Sequence, residues 1–239
     1  MSEFKASCNS RDTAGRDILG PHFPRKVALL DNVNIQDAYT DWSITYDSDR
    51  NLTRDLDQVV TRETFTNRRY HSVLELGCGT GKNTLLLAQL SERLCALDLS
   101  VGMLEQAKRK LRSDHVLFAV ADLTQAWPCK TESIDLIVCN LVLEHVRDLS
   151  VIFSEVHRTL VTGGQFFLSE LHPFRQYQGT KANFQRGQAT IEIPAFVHHL
   201  SDFTEGAAQH GLSVRVFKEW WHETDQDKPP RLVSFMFEK

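Results

Sequence analysis

An apolar run, Val73-Leu74-Glu75-Leu76, ends in Gly77-Cys78-Gly79-Thr80-Gly81 and is followed by Lys82-Asn83-Thr84 and a second apolar run, Leu85-Leu86-Leu87. A buried strand that enters a glycine turn and leaves as a helix is the unit from which parallel α/β sheets are built. Glycine lets the backbone turn tightly and approach a ligand that any Cβ would push away. The spacing is G-x-G-x-G, with Lys82 where a dinucleotide fingerprint carries its third glycine, which argues against a nicotinamide dinucleotide.

The rhythm continues on both sides of this turn. Residues 36 to 70 carry helical spacing: Tyr39, Trp42 and Tyr46, then Leu52, Leu56 and Val59-Val60, which predicts a helical cover over the sheet. Strands are predicted at Val73–Leu76, Leu94–Leu97, Val116–Val120, Ile134–Cys139 and Gln165–Leu168, the last after a turn at Gly163-Gly164. Helices are predicted at Asn83–Leu90, Val101–Leu111 and Val151–Leu160. Short apolar strands alternating with helices imply a doubly wound, mostly parallel sheet covered on both faces. Residues 172–200 break the rhythm as an insertion, and helix 201–210 with strands near 212–217 and 232–237 closes the chain. Residues 1–35, polar and rich in turn signals, are expected to be a loosely held arm, leaving 36–239 as one domain with its cofactor-binding core at 70–171.

Length allows one such core in 239 residues. A net charge of −4 supplies no basic field and argues against nucleic acid as the main partner. Five cysteines without C-x-x-C spacing suggest reduced thiols and a cytoplasmic protein. The longest apolar run, Leu136–Leu143, is interrupted by Asn140 and is too short to span a bilayer, so no membrane partner is expected.

In a doubly wound sheet the ligand lies outside the carboxyl ends of the strands. The second strand ends in Asp98-Leu99-Ser100, with Asp98 about 20 positions after Gly77, the spacing of a carboxylate that accepts from ribose hydroxyls. Asp98 also reads as a helix N-terminal charge. The third ends in Ala121-Asp122-Leu123, suited to an adenine amine with the ring packed on Leu99, Met103 and Leu123, although Asp122 also reads as a turn residue. The fourth ends in Asn140-Leu141, with Asn140 at the pocket floor.

Together these residues resemble class I S-adenosylmethionine-dependent methyltransferases of the small-molecule type, typified by ubiquinone/menaquinone-biosynthesis and biotin-pathway enzymes. Glu75–Gly81 is similar to that family's first motif, Asp98-Leu99-Ser100 with Met103-Leu104 to its second, and Ala121-Asp122-Leu123, Ile134–Ile137 and Gly163-Gly164 to later blocks. Tyr46-Asp47 resembles its N-terminal segment, and Thr162 departs from a frequent proline. The resemblance implies a Rossmann-like seven-stranded sheet with S-adenosylmethionine as cofactor and S-adenosylhomocysteine as product. It implies a cofactor-binding set of Tyr46, Glu75, Gly77, Cys78, Gly79, Gly81, Asn83, Asp98, Leu99, Met103, Asp122, Leu123, Asn140 and Leu141.

The expected partner is a small-molecule acceptor, taken by a monomer or homodimer. Candidates for a catalytic base are Glu170 and His172 at the exit of the fifth strand, His145, and His199 of the His198-His199 pair, which also read as capping or scaffold groups. Glu144-His145 resembles the metal-binding pair of some quinone O-methyltransferases, but their further glutamate is replaced by Leu141, so no metal is expected. Arg175, Lys181 and Arg186 with Phe174, Tyr177 and Phe184 read either as a wall for an anionic or aromatic acceptor or as a solvated lid. Ser201 or Asp202 is the expected cap of the helix that follows. Trp220-Trp221 read as packing. A methyltransferase-like protein that binds the cofactor without turnover is the alternative.

Overall fold

A computed structural model describes residues 34–187 and 189–239. The expected N-terminal arm therefore lies almost wholly outside the described residues. The first five strands are β1 (Tyr70–Leu76), β2 (Ser91–Asp98), β3 (Val116–Val120), β4 (Ile134–Asn140) and β5 (Leu160–Leu171). Within the 172–200 insertion, β6 (Asn183–Arg186) and β7 (Ala189–Glu192) pair as a separate antiparallel hairpin. The closing strands β8 (Ser213–Trp220) and β9 (Leu232–Glu238) complete a seven-stranded sheet in the order β3-β2-β1-β4-β5-β9-β8. Neighbours from β3 to β5 are parallel, and β9 runs antiparallel to both β5 and β8. The order reverses between β1 and β4, which places a crevice at their carboxyl ends.

The helices are α1 (Ile35–Trp42), α2 (Leu52–Phe65), α3 (Thr84–Leu90), α4 (Val101–Lys110), α5 (Leu149–Thr159), α6 (Pro173–Tyr177) and α7 (Leu200–Gln209). Alternate strand residues feed opposite faces, as the period of two requires. Leu74, Ile137 and Phe166 pack with Phe153 of α5 and Phe203 of α7. Val73, Leu136 and Phe167 pack with Val60 and Phe65 of α2 and Leu87 of α3. Both faces are buried, so the strands read as continuous apolar runs.

Three local expectations change. The 36–70 cover is two helices, because Asn51 caps α2 through Thr53 N and Arg54 N and the Arg54 guanidinium holds the Tyr46 and Asp49 carbonyls in the intervening turn. The fifth strand starts at Leu160, because a register irregularity opposite Ile134/Leu136 absorbs the Gly163-Gly164 turn into the strand. The cap of α7 is His199, with Asp202 accepting from its backbone N–H at 2.7 Å.

α1 and the β6–β7 hairpin form a roof over the strand ends. Trp42 stacks on Phe184 at 5.2 Å between ring centroids, and Ala38, Ile191 and Ile193 complete a separate apolar cluster. Arg186 pairs with Asp41 at 3.2 Å. The roof is tied to α4 by Thr40 Oγ1 and Ser100 Oγ at 2.9 Å and by Gln36 Nε2 donating to the Leu99 carbonyl.

Candidate active site

The glycine loop adopts the conformation its residues require. Gly77, Gly79 and Gly81 have φ of +66°, +54° and +82°, in the left-handed region. A Cβ on Gly77 would stand 2.2 Å from Val142 Cγ2, whereas no atom lies within 4 Å of one on Gly79, which faces open space. Asp98 closes the loop: Oδ2 accepts from Gly79 N and Oδ1 from Ser100 N, each at 2.8 Å. Burial pushes its carboxyl up from the ordinary value. Asp47 accepts from Thr80 Oγ1 at 2.6 Å, so the segment after α1 also anchors the loop.

A cleft of about 150 Å³ lies at the switch point. Gly77, Gly79, Asp98, Leu99, Met103, Asp122, Leu123, Asn140, Leu141 and Tyr46 of the expected set line it, joined by Tyr39, Val142 and His145. Asp122 Oδ1 takes Thr124 N (2.9 Å) and Thr124 Oγ1 (2.7 Å) in a turn, and the residue also lines the cleft.

A smaller cavity of about 60 Å³ adjoins it under the glycine loop, lined by Glu75, Cys78 and Asn83 of the expected set and by Arg54, Asp57 and Lys82. The two share Tyr46, Gly77, Gly79, Asn140 and Leu141. Gly81 lines neither; its role is to admit Ala107 of α4, 3.1 Å from where a Cβ would stand. Lys82 pairs with Asp55 at 2.8 Å and donates to the Arg54 carbonyl. Glu75 accepts from Thr84 Oγ1 at 2.6 Å, and burial pushes its carboxyl up to about 8.

Arg54 and Asp57 line the smaller cavity at positions that motif reading misses. Asp57 is buried and accepts from Asn140 Nδ2 (2.7 Å), Asn83 Nδ2 (2.9 Å) and Ser169 Oγ (2.7 Å). The available signal was a charged residue on the inward face of α2, beside Leu56, Val60 and Thr61. The Asn83 and Asn140 carbonyl oxygens and Arg54 Nε are buried without a hydrogen-bond partner. Two acceptors and a cationic donor beside a glycine cradle fit the ammonium and carboxylate of an amino-acid moiety.

The catalytic candidates separate. His145 lines the cleft. Its Nδ1 lies 2.9 Å from the Pro194 carbonyl, which only accepts, so Nδ1 carries the proton. Nε2 of the neutral ring then accepts from Tyr39 Oη at 2.8 Å. Glu144 Oε1 is 3.7 Å from the same Nε2, and Oε2 is buried without a partner. Glu170 is buried and holds the β4 exit by accepting from Val142 N (3.0 Å) and Leu143 N (2.9 Å). His172 caps α6 through Phe174 N and contacts Glu219 Oε1 at 2.9 Å. His199 lies 2.6 Å from Tyr177 Oη, and the buried His198 ring faces the Leu143 and Val146 carbonyls. These last four line neither the cleft nor the smaller cavity. Among the described residues no group of three His, Cys, Asp or Glu could hold a metal ion.

A third cavity, a chamber of about 290 Å³, abuts the cleft and shares Tyr39, Tyr46 and Leu141 with it. Glu144, Arg50, Arg54, Lys181 and Arg231 line it, together with Trp42. Of the insertion's other polar and aromatic residues, Arg175 pairs with Asp225 and Phe174 and Tyr177 are exposed. Trp220 lies in β8 and donates to Ser234 Oγ, while Trp221 is half exposed.

Comparison with known proteins gives a consistent result. The profile of a family described as "Methyltransferase domain" matches residues 74–168. The malonyl-[acyl-carrier protein] O-methyltransferase of Salmonella typhimurium is 31% identical over 147 residues, 62% of this chain and 55% of that protein. The ubiquinone biosynthesis O-methyltransferase of Xanthomonas oryzae pv. oryzae is 31% identical over 145 residues, 56% of this chain and 57% of that protein. The chain thus spans little more than half the length of these curated relatives. The crystal structure of an S-adenosylmethionine dependent methyltransferase from Mesorhizobium loti superposes with a TM-score of 0.64 at 17% identity, covering 76% of this chain and 96% of that one. Residues 74–168 are thus similar to a methyltransferase domain, and the sheet has the fold of an S-adenosylmethionine dependent methyltransferase.

Proposed function

We propose that the protein transfers the methyl group of S-adenosylmethionine to a small-molecule acceptor held in the chamber beside the cleft. The observation that carries this reading is the junction of the two spaces at Tyr39, Tyr46 and Leu141, with the Tyr39–His145 pair at that boundary. The cofactor supplies a sulfonium methyl group whose departure leaves a neutral thioether. Asp98 accepts from the ribose hydroxyls, Asp122, Leu123, Leu99 and Met103 take the adenine, and Arg54, Asn83 and Asn140 take the amino-acid end. Catalysis then rests on alignment and, where the acceptor carries a proton, on its removal.

Tyr39 and His145 divide that second task. Because the Tyr39 hydroxyl donates to His145 Nε2, its oxygen is left to accept from an acceptor O–H or N–H. The acceptor gives its proton to Tyr39 Oη as Tyr39 passes one to Nε2, and Glu144 and the Pro194 carbonyl stabilise the resulting imidazolium. Burial pushes the Tyr39 phenol well above its ordinary value, so it relays the proton rather than holding a charge. Such a relay favours turnover over cofactor binding alone, and an oxygen acceptor over a carbon one.

The protein is read as acting in the cytoplasm as a monomer or homodimer. Cys78, Cys95, Cys129 and Cys139 are free thiols, and no helix among the described residues is long and apolar enough to cross a membrane.

Calorimetry with S-adenosylhomocysteine tests the reading. Wild type binds, and Asp98→Ala weakens binding about 10- to 100-fold, the loss of one or two charged hydrogen bonds. Absence of binding to either cofactor form overturns it.

A further inference from the structure

The chamber differs in charge from the cleft it adjoins. The cleft is lined by Asp98 and Asp122, whereas the chamber carries Arg50, Arg54, Lys181 and Arg231 against a single carboxylate, Glu144. It continues into an outer groove where Arg50, Arg54 and Lys181 recur with Asp49.

Neighbouring acids do not answer this positive charge in full. Arg54 gives its terminal nitrogens to the Tyr46 and Asp49 carbonyls, which carry no net charge, and its guanidinium is fixed 3.9 Å from the Tyr46 ring centroid. Exposed Arg50 has no ion pair among the described residues. Lys181 and Glu192 are 3.8 Å apart and about half exposed, where water screens the pair. Asp49 is occupied by Trp42 Nε1 at 2.7 Å and Thr45 Oγ1 at 3.2 Å. Asp225, outside the chamber, answers two guanidiniums: Arg231 with two 2.6 Å bonds and Arg175 at 3.2 Å.

The carboxylate that lines the chamber has the opposite need. Glu144 is only 8% exposed, its Oε2 has no hydrogen-bond partner, and burial pushes its carboxyl up. A buried acceptor oxygen of this kind calls for an O–H or N–H. The chamber's aromatic and aliphatic lining is Tyr39, Trp42, Tyr46, Leu52, Leu141 and Leu171.

Resting on the methyl-transfer reading, we propose that the chamber binds an anionic small molecule with a flat apolar body. Its carboxylate or phosphate is held at Arg50 and Lys181, and its hydroxyl or amine is directed to Glu144 and Tyr39. Aromatic walls suit the body, and guanidiniums suit either oxyanion.

The test uses three matched probes, 4-hydroxyphenylacetate, 4-hydroxybenzylphosphonate and the neutral 4-hydroxyphenylacetamide, titrated calorimetrically into protein saturated with S-adenosylhomocysteine. At least one anion is expected to bind about tenfold or more tighter than the amide, as one charge-assisted contact requires. The ratio of acid to phosphonate identifies which oxyanion fits. In an Arg50→Glu/Lys181→Glu variant the preference falls to within about twofold, while affinity for S-adenosylhomocysteine, measured separately, stays within about twofold. The proposal is overturned if the amide matches both anions, if no probe binds, or if the preference survives charge reversal. Failure of the cofactor to bind strikes the methyl-transfer reading instead, and the anion preference is then read on the protein alone.

Discussion

The carboxylate of Asp57 and the side-chain amide of Asn140 meet at 2.7 Å although they stand 83 positions apart in the chain. The same carboxylate receives Asn83 and Ser169, so one buried acid on α2 joins the loop before α3, the end of β4 and the body of β5. That junction fixes one wall of the smaller cavity under the glycine loop.

Asp57→Ala leaves Asn83 Nδ2 and Ser169 Oγ without an acceptor and Asn140 Nδ2 with Thr61 Oγ1 alone, and is expected to cost about 2–4 kcal/mol. Asp57→Asn keeps one carbonyl oxygen and falls between the alanine variant and wild type. Urea midpoints measure both. An alanine variant as stable as wild type would remove the junction from the argument.

Glu170 is a positioning residue in this arrangement. Glu170→Ala strips the acceptor from Val142 N and Leu143 N, with a cost of about 2 kcal/mol and weaker S-adenosylhomocysteine binding through the displaced Leu141–Val142 wall. Glu170→Gln retains a carbonyl oxygen and restores most of that binding. Were Glu170 a base, Gln would lose turnover with cofactor affinity intact.

Two glycines of one loop separate stability from binding. Gly77→Ala drives a methyl into Val142 Cγ2 at φ +66°, so Val142 must shift and both stability and cofactor binding fall. Gly79→Ala meets no protein atom and carries only the strain of a left-handed alanine, about 1 kcal/mol. Its main effect is on S-adenosylhomocysteine affinity. Thermal unfolding and calorimetry on the pair check the contrast.

Stability should fall as pH rises from about 4.5 to about 8. Glu75 has its folded carboxyl pushed up to about 8 from 4.5. Between those values the native state binds more protons than the unfolded chain, so the unfolding free energy decreases with pH. Glu170, also pushed up to about 8 by burial, adds a slope of the same sign. Glu75→Gln therefore shows a shallower decline across urea midpoints at pH 5, 6.5 and 8, and an unchanged slope would contradict the shift.

Tyr39→Phe breaks the relay while keeping the ring. Turnover of an acceptor that must lose a proton is expected to drop about 10²-fold or more, with S-adenosylhomocysteine affinity nearly unchanged. An equal loss with an acceptor that carries no such proton would point to packing instead.

The parts of the site legible in the sequence are those encoded locally. The loop at Gly77–Gly81 and the acids Asp98 and Asp122 each follow a strand within a few residues, so strand periodicity alone brings them to one crevice. Arg54 and Asp57 escape because their partners lie far along the chain, and a helix reads as amphipathic whether or not one inward position is polar. His172 and His199 occupy promising exits, yet their rings are taken by Glu219 and Tyr177. Which way a side chain turns at a strand exit depends on neighbours that no local spacing encodes. The break at 43–51 was hidden for a related reason: Tyr46 keeps its helical interval from Trp42 while standing in the turn, its ring 4.8 Å from the indole.

The Trp42–Phe184 stack gives the roof a property that neither half has alone. α1 and the hairpin lie far apart in the sequence, yet each shields the other's apolar face. Lifting one strands the other's aromatic surface in water, so the two behave as a single leaf with separate attachments to the chain. A change of residue in the hairpin consequently acts on the helix that carries Tyr39, three positions before Trp42, without altering any residue of the glycine loop.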